Sequence, residues 1–178
     1  YEWSALPRRS TALPILRKGG FEALQSLSLV GDRSPDRGPA RVHPTAGVSI
    51  VGARAPLVAY NINLLTPDLE PAKQIAKRIR EERNRLPALE GVRALGLPLT
   101  SQHRTQVSMN LTCPEKTPLP AVFEVVQEFA HACGVAIAES EIIGAIPLAS
   151  LGGRPPSVIR WNAYHPSQVL ETWLPEEF

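Results

Sequence analysis

The 178 residues, of which 43% are hydrophobic, suffice for one domain with a buried core plus extensions. The formal net charge of +2 argues against a nucleic-acid-binding function. No stretch reaches the about 20 apolar residues of a membrane span, and no signal peptide is recognisable. Cys113 and Cys133 form no CxxC pair. The cysteines therefore predict neither a metal site nor a disulfide, which favours a cytoplasmic location.

The first 47 residues are rich in Pro, Arg and Ser. One helix is predicted from about Thr11 to Leu24, although Gly19 and Gly20 weaken it. Residues 32–47 show no periodicity and contain repeated Gly and Pro, which indicates an ordered loop. Because the sequence starts with Tyr1 rather than Met, we expect a fragment or a processed product.

The middle of the chain alternates between strand and helix patterns. Residues 57–64 and 105–112 have the period of two that predicts half-buried strands. A further strand is predicted over residues 92–99, at a sheet edge because of Pro98, and a last one over residues 135–143. Two amphipathic helices are predicted between them, starting at Thr66-Pro67 and at Thr117-Pro118. Ser167 is a candidate cap for a short helix near the C-terminus.

The element order is therefore strand, helix, strand, strand, helix, strand. This order predicts an α+β fold, a ferredoxin-like βαββαβ split sandwich. Right-handed crossovers place both helices on one face of an antiparallel sheet, with the first and third strands as central neighbours. Irregular N-terminal and C-terminal extensions flank this fold.

Polar side chains alternate with the apolar ones along the two central strands. If the helices cover the apolar side, the opposite side displays a patch of amide and hydroxyl groups: Asn61, Asn63, Gln106, Ser108 and Asn110. Amides supply both hydrogen-bond donors and acceptors, so this uncharged patch suits a polar heterocycle or an amino-acid backbone. The alternative interpretation is a sheet face that is open to water.

Other candidate residues are weaker. None of the four histidines has the spacing of a metal ligand, so we expect no metal site. His43 lies in the Gly/Pro loop, where a binding residue would be well placed. Glu139 and Glu141 share one face of the last strand, and a solvent-facing edge strand explains them better than an acid/base pair.

Several collinear segments resemble the formiminotransferases. They are GPARVHPTAGVSIVGARAPLVAYNINL from Gly38, GVRALGLPL from Gly91, TQVSMNLT from Thr105, and TPLPAVFEVVQEFAHACGVAIAESEIIGAIPLASL from Thr117. The resemblance implies a connecting segment and folate-site loop at the end of the N-terminal subdomain (1–47), the C-terminal subdomain (48–151) and a Pro-rich tail (152–178).

The resemblance also implies an activity. The family transfers a formimidoyl group from N-formimidoyl-L-glutamate to tetrahydrofolate in histidine degradation, and its members dimerise, so we expect a homodimer. It implies that one loop lines the folate site, with these residues: Gly38, Pro39, Ala40, Arg41, Val42, His43, Pro44, Thr45, Ala46 and Gly47.

One part of the family pattern does not occur in these residues. The family's catalytic base is a histidine within a motif similar to RHKGEHPRMGALD in the N-terminal subdomain. We therefore expect that subdomain, or a partner chain that supplies it, to be missing, and the chain alone to have no transfer activity. The alternative is a non-catalytic ferredoxin-like module that binds folate or a protein, either as a remnant or as a subunit of a split enzyme.

Overall fold

The computed structural model describes residues 13–51 and 56–173. The chain forms two units, Tyr1–Arg54 and Ala55–Phe178. In the first unit, helix α1 spans Leu13–Leu16 and helix α2 spans Gly20–Gln25. The single predicted helix is thus two short ones, because Gly19 adopts a left-handed backbone (φ 89°) between them. The predicted helix start at Thr11 lies outside the described residues.

The second unit contains a four-stranded antiparallel sheet and two long helices. Its strands are β1 (Val58–Leu64), β2 (Val92–Leu99), β3 (Arg104–Leu111) and β4 (Ile137–Ile143). Helix α3 (Leu69–Glu82) follows β1, and helix α4 (Leu119–Ala132) follows β3. The strand order β2-β3-β1-β4 makes β1 and β3 the central pair, which confirms the predicted ferredoxin-like topology.

The register of the central strands confirms which face the helices cover. Ile62 pairs with Val107, and Tyr60 pairs with Met109. These four side chains are at most 1% exposed and join the core cluster that contains the apolar faces of α3 and α4. Because side chains alternate along a strand, the odd-numbered residues of β1 must face the other side of the sheet.

Both long helices begin later than the sequence analysis predicted. Asp68 caps α3, because its Oδ1 accepts from the backbone N–H of Glu70 (3.0 Å), while Thr66 Oγ1 accepts from the N–H of Asp68 (3.1 Å). Thr117 is buried and does not cap α4. Its hydroxyl instead donates to the carbonyl of Glu90 (2.7 Å).

The described residues after Gly152 form short 3-10 turns, and two apolar side chains of this segment join the core. Ile159 is fully buried, and Trp161 is 3% exposed within the same cluster as the sheet. The hydroxyl of Ser140 on β4 donates to the carbonyl of Ile159, and Ile146 forms a parallel bridge with Val169. These contacts attach the C-terminal segment to the edge of the sheet at β4.

The turn near the C-terminus differs from the predicted closing helix. It is a three-residue 3-10 turn, Pro166–Gln168, and its cap is His165 rather than Ser167. The Nδ1 of His165 accepts from the backbone N–H of Ser167 (3.2 Å), so Ser167 lies inside the turn. No helix among the described residues is long and apolar enough to cross a membrane.

Candidate functional site

The side of the sheet away from the helices carries a group of polar side chains that we call the polar face. Across β3, β1 and β4, one row of the register contains Gln106, Asn63 and Glu139, and the next contains Ser108, Asn61 and Glu141. Asn110 lies in a third row, opposite Ala59. The structure therefore brings the predicted amide and hydroxyl residues together on one surface.

The polar face is organised by hydrogen bonds to the carboxylate of Glu141. Its Oε1 accepts from Asn61 Nδ2 (3.0 Å) and from Gln106 Nε2 (2.7 Å). Gln106 Nε2 also donates to Asn63 Oδ1 (2.9 Å). Same-face neighbours in a sheet lie close enough for such side-chain contacts, and hydrogen bonds to a charged group are stronger than neutral ones. Glu141 is thus held in a defined position.

The structure differs in two ways from the sequence analysis of this face. Three of its amides are buried rather than open, since Asn61 is 8% exposed, Asn63 3% and Gln106 5%. The amides fold onto one another and onto β4, which satisfies part of their hydrogen-bonding capacity away from water. The face is also not free of charge, because Glu141 belongs to the network rather than to a solvent-facing edge.

A second carboxylate on the polar face is paired with a cation. Glu139 Oε1 accepts from Arg104 Nη1 at 3.0 Å, and about a third of each side chain remains exposed. Pairs with this much exposure contribute little to stability, typically about 0–1 kcal/mol. The pair does, however, leave Glu141 without a cationic partner among the residues that the structure describes.

The Gly38–Gly47 loop lies in the first unit and is held by backbone contacts. Gly38 and Gly47 have φ values of +86° and +73°, a region that side chains with a Cβ rarely adopt. Leu29 N donates to Ala40 O (3.1 Å), and Val42 is 7% exposed in a small cluster with two leucines. The path of the loop is therefore fixed even though most of its side chains are exposed.

His43 has a structural role within this loop. Its Nδ1 accepts from the backbone N–H of Ala46 (3.0 Å) and of Thr45 (3.3 Å), and its backbone pairs with Gly47. An Nδ1 that accepts hydrogen bonds from two backbone N–H groups carries no proton, so the N–H of the ring lies at Nε2. Arg41, two residues earlier, has an exposed side chain.

Sequence reasoning underestimated Glu141 and overlooked Arg104. The signal for Glu141 was present, since the period of two in the last strand puts Glu139 and Glu141 on one face. The predicted sheet order then places that strand beside the first one. Arg104 lies one residue before the predicted strand over residues 105–112, because the start of a strand is hard to locate from the sequence.

Tyr60 points into the opposite, helix-covered side. Burial raises the pKa of its phenol well above the ordinary value, and the nearby Ser140 hydroxyl lowers that pKa only in part. Ser140 lies outside hydrogen-bond geometry, so the Tyr60 hydroxyl has no partner among the described residues. Its position in the core excludes it from the polar face.

Comparisons with known proteins agree with this architecture. The sequence model described as "Formiminotransferase domain" matches residues 59–153, which include all of the sheet except Val58 and both long helices. The chain belongs to the formiminotransferase family. A second model, "Formiminotransferase domain, N-terminal subdomain", matches residues 1–54. The expectation that the N-terminal subdomain is missing is therefore wrong, because residues 1–54 match the model of that subdomain.

Similar proteins come from bacteria, archaea and mammals. The glutamate formimidoyltransferase of Streptococcus pyogenes serotype M1 is 41% identical over 151 residues, which are 85% of this chain and 50% of that protein. The glutamate formimidoyltransferase of Thermoplasma acidophilum is 36% identical over 93% of this chain and 54% of its own length. The formimidoyltransferase-cyclodeaminase of Rattus norvegicus is 35% identical over 84% of this chain and 28% of its own length.

The chain spans about half the length of these two glutamate formimidoyltransferases. The matched region contains the β1–α3–β2–β3–α4–β4 unit together with the preceding loop.

Proposed function

We propose that this chain is the folate-binding portion of a glutamate formimidoyltransferase, which transfers the formimidoyl group of N-formimidoyl-L-glutamate to tetrahydrofolate in histidine degradation. The observation that supports this proposal most strongly is the polar face. Amides that are more than nine-tenths buried are fixed there around a carboxylate, on the side of the sheet without helices. Buried polar groups are costly unless they are hydrogen-bonded, and such a network suits a polar heterocycle.

In the proposed reaction, a nitrogen of tetrahydrofolate attacks the amidine carbon of the donor. One C–N bond forms to the folate, the C–N bond to glutamate breaks, and a proton passes from the folate nitrogen to the departing glutamate nitrogen. Such a step needs a general base and stabilisation of charge at the tetrahedral carbon. The residues of this chain contribute by binding and orienting the folate, which brings the reacting atoms together.

The Gly38–Gly47 loop of the first unit is a separate candidate for contact with folate. Its glycines at positive φ and its prolines fix a backbone that a flat ligand can approach closely. Arg41 has an exposed guanidinium, and folates carry carboxylates on their glutamate tail. Planar guanidinium groups bind carboxylates through paired hydrogen bonds, so we assign the tail to Arg41.

Replacing Arg41 with alanine tests this assignment. Arg41→Ala should weaken tetrahydrofolate binding by about 1–3 kcal/mol, the range for a hydrogen bond to a charged group. Isothermal titration calorimetry of the 178-residue chain measures the change. Arg37→Ala is the matched control, because Arg37 is also an exposed arginine just before the loop, and it should leave the affinity unchanged. Equal affinities for wild type and Arg41→Ala would remove Arg41 from the site.

A further inference from the structure

The assignment of donors and acceptors on the polar face is fixed by Glu141. An ionised carboxylate accepts hydrogen bonds and donates none, so the side-chain atoms of Asn61 and Gln106 that contact Glu141 Oε1 must be their NH₂ groups. The amide orientations therefore follow from chemistry rather than from a choice between two similar groups. Asn63 must in turn direct its oxygen to Gln106, whose second N–H it accepts.

In this arrangement, as far as the structure describes the chain, several side-chain oxygens of the polar face have no hydrogen-bond donor, whereas the NH₂ groups of Asn61 and Gln106 are already bonded within the face. Both hydrogens of Gln106 Nε2 are engaged, and its Oε1 has no partner among the described residues. The same holds for Asn61 Oδ1 and for Glu141 Oε2 within the described part of the chain. Asn61 and Gln106 are only 8% and 5% exposed, but none of these three oxygens is among the fully enclosed polar atoms without a partner, so solvent or a ligand can reach them. These oxygens accept from water when no ligand is bound, and a ligand that carries N–H donors can replace that water.

The negative charge of the Glu141 carboxylate also favours a ligand that donates hydrogen bonds. Glu139 is neutralised by Arg104, whereas no cation lies within ion-pair distance of Glu141 in residues 13–51 and 56–173. A ligand group that carries two N–H donors on one edge would meet the free Glu141 oxygen and one neighbouring amide oxygen. A ligand edge that carries only acceptors would place its oxygens against the oxygens of the polar face and would bind poorly. Sites built to bind one hydrogen-bonding pattern discriminate strongly against a ligand with a different pattern.

We propose that Glu141, Asn61 and Gln106 form an acceptor surface that selects a ligand edge of the type H–N–C–N–H. This inference rests on the proposed function, within which two ligands have such an edge. One is the edge of the tetrahydrofolate pterin ring formed by its N3–H and its 2-amino group, and the other is the amidine of N-formimidoyl-L-glutamate. In either case Glu141 determines specificity by charge-assisted hydrogen bonds and takes no part in bond breaking.

Two pairs of matched ligands distinguish the pterin ring from the amidine as the group that binds this surface. Pterin carries the 2-amino group, whereas lumazine has an oxygen acceptor at that position. N-Formimidoyl-L-glutamate carries the amidine, whereas N-formyl-L-glutamate has a carbonyl oxygen there. The 178-residue chain should prefer the donor-bearing member of one pair by about 10- to 100-fold, as measured by fluorescence titration for the pteridines and by calorimetry for the glutamates. This measurement uses the wild-type chain alone and does not depend on whether a variant folds.

Glu141→Gln should then remove the preference. The variant keeps the shape of the side chain but replaces an oxygen acceptor with an NH₂ donor, so it should weaken binding of the donor-bearing ligand about 10- to 100-fold. Glu128→Gln, on the exposed side of α4, is the control and should bind as wild type does. Thermal unfolding of both variants checks that they are folded.

The outcomes separate this inference from the proposed function. Loss of the preference in the pteridine pair assigns the surface to the pterin, and loss in the glutamate pair assigns it to the amidine. If the wild-type chain binds tetrahydrofolate but discriminates within neither pair, or if folded Glu141→Gln keeps the wild-type preference, the inference is overturned while the proposed function stands. If wild type does not bind tetrahydrofolate, the proposed function itself fails.

Discussion

Trp161→Ala is expected to lower the free energy of unfolding by about 3–5 kcal/mol, the range for truncating a buried tryptophan. The Trp161 side chain is 3% exposed, packs in the same cluster as the sheet and the helices, and stacks edge-to-face with Tyr164 at 5.0 Å. Removing the indole leaves a cavity that the neighbouring 3-10 turns cannot fill without losing their own contacts. Urea denaturation followed by circular dichroism measures the change.

Trp173→Ala is the matched control for this substitution. Trp173 is 71% exposed, and its indole N–H donates to the carbonyl of Ser167 (2.7 Å). Its removal should cost about 1 kcal/mol or less, the net value of one hydrogen bond near the surface. Equal effects of the two substitutions would contradict the conclusion that the segment after Gly152 is part of the core.

Ile62→Ala is expected to destabilise the protein by about 2–5 kcal/mol, because it opens a cavity at the centre of the sheet. Ile62 is fully buried on the helix-covered side of β1 and pairs with Val107 and Ser140 on the two neighbouring strands. The measurement is the midpoint and slope of urea unfolding at equilibrium.

Ile143→Ala tests the other side of the sheet. Ile143 is 59% exposed and pairs with Ala59, so it lies in a row of the polar face. Its truncation should change the stability by about 0.5 kcal/mol or less. A larger loss for Ile143→Ala than for Ile62→Ala would show that the two faces of the sheet have been exchanged.

The fold could be predicted from the sequence because its signals are local and repeated. The period of two in β1 and β3 defines both the strands and the side that the helices cover, since a slip of one residue would exchange the two faces. The helix starts were less predictable. Thr66 and Thr117 have the chemistry of caps, but Asp68 competes with the first and the carbonyl of Glu90 with the second.

The candidate site could be predicted only in outline. The polar face follows from the alternation, but the pairing of Glu141 with Asn61 and Gln106 depends on how β4 aligns with β1, which the sequence does not specify. The contribution of Ile159 and Trp161 was missed for a related reason. Their segment is rich in proline and has no period, so its composition indicated a tail although these two residues are buried.

Side-chain amide resonances test most directly whether the polar face is part of a folate site. In a nuclear magnetic resonance titration of the 19.4 kDa chain with tetrahydrofolate, we expect the side-chain NH₂ signals of Asn61 and Gln106 to shift. The side-chain signal of Gln127, on the exposed surface of α4, should stay unchanged. Saturable shifts confined to the helices, with none for Asn61 and Gln106, would contradict the proposed site.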